Sequence, residues 1–323
     1  MKAIVQSAYG SPDVLELREI DPPEVEDDEV LVRVRAASVN PPDMAGVTGV
    51  PYCARSHFGL RKPRNPVRGS DVAGTVEAVG KNVTRLRAGD EVFGAGAGTF
   101  AEYALAAGND LAPKPANVTF EQAAAVPMAG LTALQALRDV GKVQPGQKVL
   151  INGAGGGIGT FAVQIAKSFG AEVTGVCSTS KVDLVRSIGA DHVIDYTQGD
   201  FTQGEQRYDF ILDNVLNHSL SQLLRALSPK GTLVPNGGQF YKRWTASTGV
   251  ILIKAPLLSL LVPQTIRHVT LSRKQDGLLA LKELLESGKV TPVIGRTFPL
   301  SRTPDALRYF GEGHARGKVV ITT

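Results

Sequence analysis

The stretch that most restricts what this chain can become is Ile151–Lys167, INGAGGGIGTFAVQIAK. KVLIN reads as a strand and TFAVQIAK as a helix, so the crowded glycines occupy a strand-to-helix turn. Such a turn lets the backbone approach a pyrophosphate, and the helix start adds free N–H groups and partial positive charge. The spacing fits G-x-G-x-x-G with Ala154 in the first place, then Gly156 and Gly159, and with Gly157 and Ile158 between them. The reading is dinucleotide binding; a glycine-rich turn with a purely structural task is the alternative.

The surrounding pattern supplies the context that such a loop needs. Thr119–Leu137, TFEQAAAVPMAGLTALQAL, is predicted helical, with Thr119 as N-cap and Gln122 at the reciprocal position. Beyond it strands and helices alternate: KVLING, IGTFAVQIAKSFG, EVTGVC, SKVDLVRSIG, HVIDY, DFILDNV, HSLSQLLRALSPKG and TLVPNGG. A βαβ series implies a parallel sheet with helices on both faces. The first third differs. EVLVRVRAASV alternates, with Val30, Val32 and Val34 on one side and Leu31, Arg33 and Arg35 on the other. DVAGTVEAVG, AGDEVFG and TFAEYALA follow as short, Gly-punctuated strands. Near the end, DGLLALKELLESGKVTPV reads as an amphipathic helix and a strand, and GKVVITT as a closing strand. The expected fold class is α/β: a β-rich domain over 1–123 and 272–323, with a doubly wound parallel-sheet domain over 124–271 inserted into it.

The end of the second parallel strand bears on which dinucleotide fits. A cofactor without a 2′-phosphate usually meets an Asp or Glu about 20 residues on, which binds the ribose hydroxyls. Here that place reads VCSTSKVDL, with Ser178, Ser180 and Lys181 and no carboxylate at 177–182. Hydroxyls and an ammonium suit a 2′-phosphate, which an acid would repel. The expected cofactor is NADPH. Ser178 or Ser180 capping the following helix is the structural alternative, and both roles are compatible.

Composition narrows the class. Of 323 residues 43% are hydrophobic and 20% charged, as in a globular chain, and the net charge is +4. The basic residues are spread along the chain and carry no nucleic-acid motif, so no nucleic-acid partner is expected. The densest basic group, RSHFGLRKPRNPVRG at 55–69, is a Pro/Gly-rich loop, solvated or open to a polyanion. Two cysteines, Cys53 and Cys177, form no disulfide framework, which fits a reducing cytoplasm. MKAIVQSAYG is an alternating strand rather than a signal peptide. The apolar run 249–263 is interrupted by Lys254 and Pro256 and falls short of the ~20 apolar residues of a span; a buried helix, a subunit contact or an interfacial patch remain for it.

Taken together, MKAIV…YGSPDVLEL, VLVRVRAASVNPPD, GSDVAGTVEAVG, AGDEVFG, FAEYALA, AAAVPMAGLTALQAL, GAGGGIGTFAVQIAK, SIGADHVIDY and EGHARGKVVIT resemble the medium-chain dehydrogenase/reductases, in particular the zinc-free quinone oxidoreductase (zeta-crystallin-like) branch. The resemblance spans nearly the whole chain. It implies a GroES-like substrate domain, a Rossmann domain and a cleft between them, in a homodimer or homotetramer. By the same resemblance Asn40 of SVNPPD lies in the active-site cleft, and Thr132 of AGLTA, Asn214 of DNV and Asn236, Gly237 and Gly238 of NGG lie on the nicotinamide side. Lys181 and Tyr196 fall at positions used around the adenosine 2′-phosphate and its ribose. Tyr52 matches tyrosines that face substrate in some relatives, although its basic loop departs from the pattern.

Zinc-dependent members carry an early Cys, a His-Glu pair and a lobe of four cysteines. This chain has Ser38-Val39-Asn40 and Gly69-Ser70-Asp71 at the first two places and only two cysteines. A tetrahedral site needs three or four converging N, S or O ligands, so no metal is expected. Without a Lewis acid to polarise an alcohol oxygen, a conjugated acceptor is favoured. The expectation is NADPH-dependent hydride transfer to a quinone or α,β-unsaturated carbonyl, assisted by a donor such as Asn40 or Tyr52. Reduction of an enoyl thioester or alkenal, a zinc-free alcohol dehydrogenase-like activity, and a cofactor-binding protein without catalysis are the alternatives.

Overall fold

The alternation in the first third builds a long strand whose two ends have different surroundings. The structure, a computed structural model, describes residues 1–237, 262–272 and 275–323. The chain opens with strands β1 (Lys2–Gln6), β2 (Leu15–Glu19) and β3 (Glu29–Ser38). Val30, Val32 and Val34 of β3 are buried while Arg33 and Arg35 face solvent, as the pleat requires. From Ala36 to Ser38 burial becomes continuous, where β15 takes the place of β6 on one edge of β3 while β4 stays on the other. Helices α1 (Pro41–Thr48) and α2 (Arg55–Phe58) follow, then β4 (Asp71–Val79), β5 (Glu91–Ala95), β6 (Tyr103–Ala107) and β7 (Leu111–Pro113).

Thr119 does cap a helix, its hydroxyl accepting from Gln122 N–H at 3.2 Å while the Gln122 side chain accepts from Thr119 N–H at 3.0 Å. That helix is shorter than its pattern predicts. α3 (Phe120–Ala124) stops, and α4 (Pro127–Leu134) starts anew on Pro127, running into a π-helical turn at Gln135–Val140. A proline has no N–H to donate and clashes with the carbonyl four residues back, so it opens a helix rather than continuing one.

The parallel series follows as β8 (Lys148–Asn152), α5 (Gly157–Ser168), β9 (Glu172–Cys177), α6 (Val182–Ser187), β10 (His192–Asp195), β11 (Tyr208–Asp213), α7 (Leu220–Ala226), β12 (Leu227–Pro235) and β13 (Thr265–Ile266). Their order in the sheet is β10-β9-β8-β11-β12-β13, all parallel. The chain moves outward from β8 to β10, then returns to the other side of β8 with β11. In open α/β sheets ligands bind at the carboxyl ends of the strands flanking such a switch point. Leu150, Ile211, Leu223 and Leu233 belong to the core that holds this sheet to its helices.

The chain then adds α8 (Gln275–Glu286), β14 (Ile294–Pro299), α9 (Thr303–Glu312) and β15 (Lys318–Thr322). The strand expected within GKVTPV is absent there and begins at Ile294, Pro292 having no N–H for a ladder. β14 and β15 join the first strands in a seven-stranded sheet, β14-β15-β3-β4-β5-β7, with β6 also on β3. Contacts divide the chain into one unit of residues 1–131, 272–288 and 292–323 and another of 132–271 and 289–291. The first is a GroES-like β unit and the second a Rossmann-like parallel sheet. No helix among the described residues is long and apolar enough to cross a membrane. Of the apolar run 249–263, residues 249–261 lie outside the described residues.

Candidate active site

In the parallel-sheet unit, the glycine loop leaves β8 at its carboxyl end. Gly153 turns the chain with φ +81°, a conformation that costs a residue with a Cβ. The sequence reading placed the first motif position on Ala154; the structure puts the sharp turn one residue earlier. Ala154 is buried, and the N–H groups of Gly153 and Ala154 both donate to Val176 O, at 3.1 and 2.9 Å. A Cβ on Gly159 would lie 2.1 Å from Gly153 O and 2.7 Å from Ala154 Cα, so only glycine lets the helix start this close to the turn. At Gly156 a Cβ would meet nothing nearer than Gly153 O at 3.4 Å; that face is open. Gly156 is also the N-cap of α5 and supplies no side-chain cap. The N–H groups of Gly157, Ile158 and Gly159 open the helix, where no intrahelical acceptor exists. Open face and free donors together make an anion cradle of the kind a pyrophosphate fills.

At the end of β9, Ser178 occupies the N-cap position of the short helix Thr179–Lys181 without a side-chain cap bond, and its hydroxyl lies 3.3 Å from Ser180 Oγ. The Lys181 stem crosses the loop, since a Cβ on Gly155 would sit 2.7 Å from Lys181 Cδ. Tyr196 N–H donates to Cys177 O at 3.0 Å, which places the exposed Tyr196 ring beside this strand end. Ser178, Lys181 and Tyr196 thus gather at one edge of the loop. Asp195, which pairs with Cys177 across the ladder, is a carboxylate that the sequence reading missed, because proximity here comes through β10. Hydrogen bonds from Thr179 and Thr197 hold its pKa below the usual carboxylate range. Its Oδ1 accepts from Thr197 N–H and Oγ1 at 2.9 and 2.8 Å.

An amide ladder ties together the carboxyl ends of β8, β11 and β12. Asn152 Nδ2 donates to Asp213 Oδ1 at 2.8 Å, Asn214 Nδ2 to Asn152 O at 3.2 Å, and Asn236 Nδ2 to Asn214 Oδ1 at 2.8 Å. The structure therefore joins Asn214 to Asn236. Gly237 follows at the strand end, and Gly238 lies outside the described residues. Thr132 is buried in α4, 7% exposed.

In the β unit, a buried polar cluster forms where β3, β4 and β15 meet. Asp71, 1% exposed, is its centre. Its Oδ2 accepts from Ser38 Oγ at 2.8 Å and Asn40 Nδ2 at 2.9 Å, and its Oδ1 from Met128 N–H near the start of α4 at 3.1 Å. Lys318, 3% exposed, brings a cation: its Nζ donates to Asn40 Oδ1 at 2.5 Å and Val39 O at 3.3 Å and lies 3.7 Å from Asp71 Oδ2. Burial pulls the Lys318 pKa down against the pull of Asp71 and Asp43. Asn40 Nδ2 also donates to Ser38 O at 3.3 Å. Both amide hydrogens of Asn40 are thus engaged, and the role its geometry supports is positioning.

Asp43 stands beside this cluster. Its Oδ2 accepts from Asn40 N–H at 2.8 Å and its Oδ1 from Ser70 Oγ at 3.4 Å. Burial and then the Asp71 charge push its pKa up to about 7. Tyr52, in contrast, is 74% exposed, its ring under the Arg55 guanidinium, whose carbon is 4.9 Å from the ring centre. Cys53 and His57 are both exposed, and no group of three or more His, Cys, Asp or Glu among the described residues could hold a metal ion. In the sequence Ser70 and Asp71 stand out only as replacements for a zinc-binding His-Glu pair, and Asp43 and Lys318 only as members of motifs. The one signal was an ammonium inside the apolar strand KVVIT, where a charge must be partnered.

One GroES-like β unit with a buried polar cluster and one parallel-sheet unit with a glycine cradle at its switch point define a two-domain dehydrogenase. Residues 26–116 match the alcohol dehydrogenase GroES-like domain and residues 188–321 the zinc-binding dehydrogenase domain. The mitochondrial NAD(P)H oxidoreductase RTN4IP1 of Bos taurus is 35% identical over 99% of this chain and 89% of its own length. The chloroplastic NADPH-dependent alkenal/one oxidoreductase of Arabidopsis thaliana is 35% identical over 99% of this chain and 79% of its own. The quinone oxidoreductase structure from Coxiella burnetii superposes with a TM-score of 0.86 at 30% identity, covering 100% of this chain and 99% of that one. The chain belongs to the medium-chain dehydrogenase/reductase family and is an oxidoreductase.

Proposed function

We propose that this protein is an NADPH-dependent reductase of quinones or α,β-unsaturated carbonyls that works without zinc. The observation that carries the reading is the donor set of the buried cluster. A zinc site draws on thiolate, imidazole and carboxylate ligands. Here the residues are two hydroxyls, an amide and two carboxylates already engaged, with the Lys318 ammonium 3.7 Å from Asp71. A cation in that place opposes a second one, so these residues do not fit zinc. Unassisted by a metal, hydride transfer favours an acceptor that delocalises the developing charge itself.

The glycine cradle supports a dinucleotide, whose nicotinamide supplies the hydride when bound. Gly156 and the N–H groups of Gly157, Ile158 and Gly159 take the pyrophosphate. Lys181 and Ser178 take the 2′-phosphate, and Tyr196 lies along the ribose. Asp195, whose Oδ1 accepts from Thr197, is a nearby carboxylate that opposes a 2′-phosphate there. Thr132, Asn214, Asn236, Gly237 and Gly238 are assigned to the nicotinamide end, and Tyr52 to substrate. The names of the Arabidopsis and Coxiella relatives point to the same two acceptor classes.

The test is NADPH consumption by purified protein with quinones, alkenals and enones, beside saturated ketones and, with NADP⁺, saturated alcohols. Turnover on the conjugated acceptors that withstands a chelator is expected. Activity confined to alcohols, or lost on chelation and restored by zinc, overturns the proposal.

A further inference from the structure

We propose that Ser70 and Asp43 form the proton-delivery pair of this reduction, Ser70 giving its hydroxyl proton to the substrate oxygen and Asp43 replacing it. The proposal rests on the reductase reading above and adds the source of the proton.

The geometry distinguishes the two oxygens of Asp43. Oδ2 is held by the Asn40 backbone N–H at 2.8 Å, a donor that cannot give way to a second proton on the same side. Oδ1 faces Ser70 Oγ at 3.4 Å. A proton on Oδ1 of the neutral acid points at the serine, whose hydroxyl then turns from donor to acceptor. Asp43 is 5% exposed and Ser70 half-buried, so the acid reaches outward through the hydroxyl. A hydroxyl accepts and donates at once, which a relay needs. The 3.4 Å separation is long for such a bond, as catalytic hydrogen bonds often are before substrate binds.

The charges around Asp43 come from every neighbouring element. Asp71 on β4 repels its ionised form and Lys318 on β15 attracts it. Arg68, on the segment before β4, is also coupled to Asp43, and its own pKa is lowered by burial. Burial and Asp71 prevail, leaving an acid that ionises near neutral pH, where a proton donor works best. Asp71 is a poorer candidate, since both its oxygens are taken by Ser38, Asn40 and Met128.

For an enone the balance is as follows. A C–H bond forms at the β carbon with hydride from the reduced nicotinamide. The C=C π pair shifts and the carbonyl oxygen becomes an enolate. The Ser70 O–H bond breaks and that proton forms the enol O–H, while the Asp43 O–H bond breaks to restore the serine hydroxyl. The enol tautomerises to the saturated carbonyl, and Asp43 regains one proton from water. One hydride and one proton are consumed, as they are when a quinone becomes a hydroquinone. Ser70 is the catalytic residue; Asp43 acts through it.

The experiment compares the full-length protein with Asp43→Asn, Ser70→Ala and Ser70→Thr, measuring kcat against pH with a saturating enone and NADPH. Infrared spectroscopy of the resting protein follows the Asp43 carboxyl over the same range. A general acid must be protonated, so wild-type kcat falls as pH rises through about 7. That limb disappears in Asp43→Asn, and kcat drops at least about tenfold, within the 10²–10⁴-fold that acid–base catalysis supplies, with KM little changed. Ser70→Ala loses as much, and Ser70→Thr recovers most of it. The infrared band of a protonated carboxyl is lost in Asp43→Asn and titrates near neutral pH in the wild type. Wild-type kcat and an intact limb in both Asp43→Asn and Ser70→Ala overturn the pair while leaving the reductase reading standing. An Asp43 that is ionised throughout the range overturns it even if a variant fails to fold. A wild type that reduces neither enone nor quinone overturns both.

Discussion

Replacing Lys318 with methionine tests the buried cluster through stability alone. The substitution keeps a similar unbranched stem and removes the charge. It leaves the Asp71 carboxylate, 1% exposed, without the cation 3.7 Å away, and it removes the donor to Asn40 Oδ1 and Val39 O. Breaking a buried ion pair on one side costs about 3–5 kcal/mol, because the remaining charge is stranded. Two features place this case at the low end. Asp71 keeps its three donors from Ser38, Asn40 and Met128, and burial already disfavours the Lys318 ammonium. The expected loss is therefore about 3 kcal/mol, a large share of the 5–15 kcal/mol typical of a domain. Urea unfolding at neutral pH, read by circular dichroism, measures it. Asp71→Asn and the double variant complete a cycle. The double variant should be less destabilised than the two single losses added, by about 1–3 kcal/mol, as coupled contacts show. A loss below about 1 kcal/mol for Lys318→Met, or strictly additive losses, would refute the claim that the two charges depend on each other.

Three further outcomes follow from other parts of the molecule. Asp43 has its folded-state pKa raised to about 7 from 3.8, so the folded protein holds the extra proton between those values and stability falls as pH rises across that window. Asp43→Asn abolishes that slope; three units at 1.36 kcal/mol set an upper bound of about 4 kcal/mol for its gain over wild type between pH 4 and 8, read from unfolding midpoints, and parallel profiles would contradict it. Gly159→Ala drives a Cβ to 2.1 Å from Gly153 O; the strain should lower stability by about 1–3 kcal/mol and weaken NADPH binding, and a variant with wild-type melting temperature and affinity would count against the tight turn. Lys181→Ala should weaken NADPH by about tenfold or more, a loss of 1.5–3 kcal/mol, while sparing NADH, and calorimetry showing equal losses would assign Lys181 another task.

Much of the molecule was legible in the residue order, because its signals are local. The Val30, Val32, Val34 alternation needs only the two-residue period of a strand, and the glycine loop only the geometry of one turn. Thr119 and Gln122 bond across three residues, so that cap could be read directly. The same local rules, applied to Pro127, would have divided the helix that the apolar pattern ran together. The gathering of Ser178, Lys181 and Tyr196 lay further off, since it requires β10 to pair with β9. Of the chemistry around Asp71, the sequence carries only the hint of an ammonium inside the apolar strand KVVIT. Asn40 looked like a free amide, yet its oxygen is occupied by a lysine 278 residues away and its nitrogen by an aspartate 31 away. Asp43 looked like an ordinary acid, yet its protonation depends on what excludes water from it and on which charges face it. Backbone conformation follows largely from neighbours along the chain, so the sequence by itself determined most of the strands and the glycine loop. The ionisation of a buried group follows from the dielectric and the charges around it, and segments far apart in the chain supply both, so only the tertiary structure decided which side chains have a proton to give.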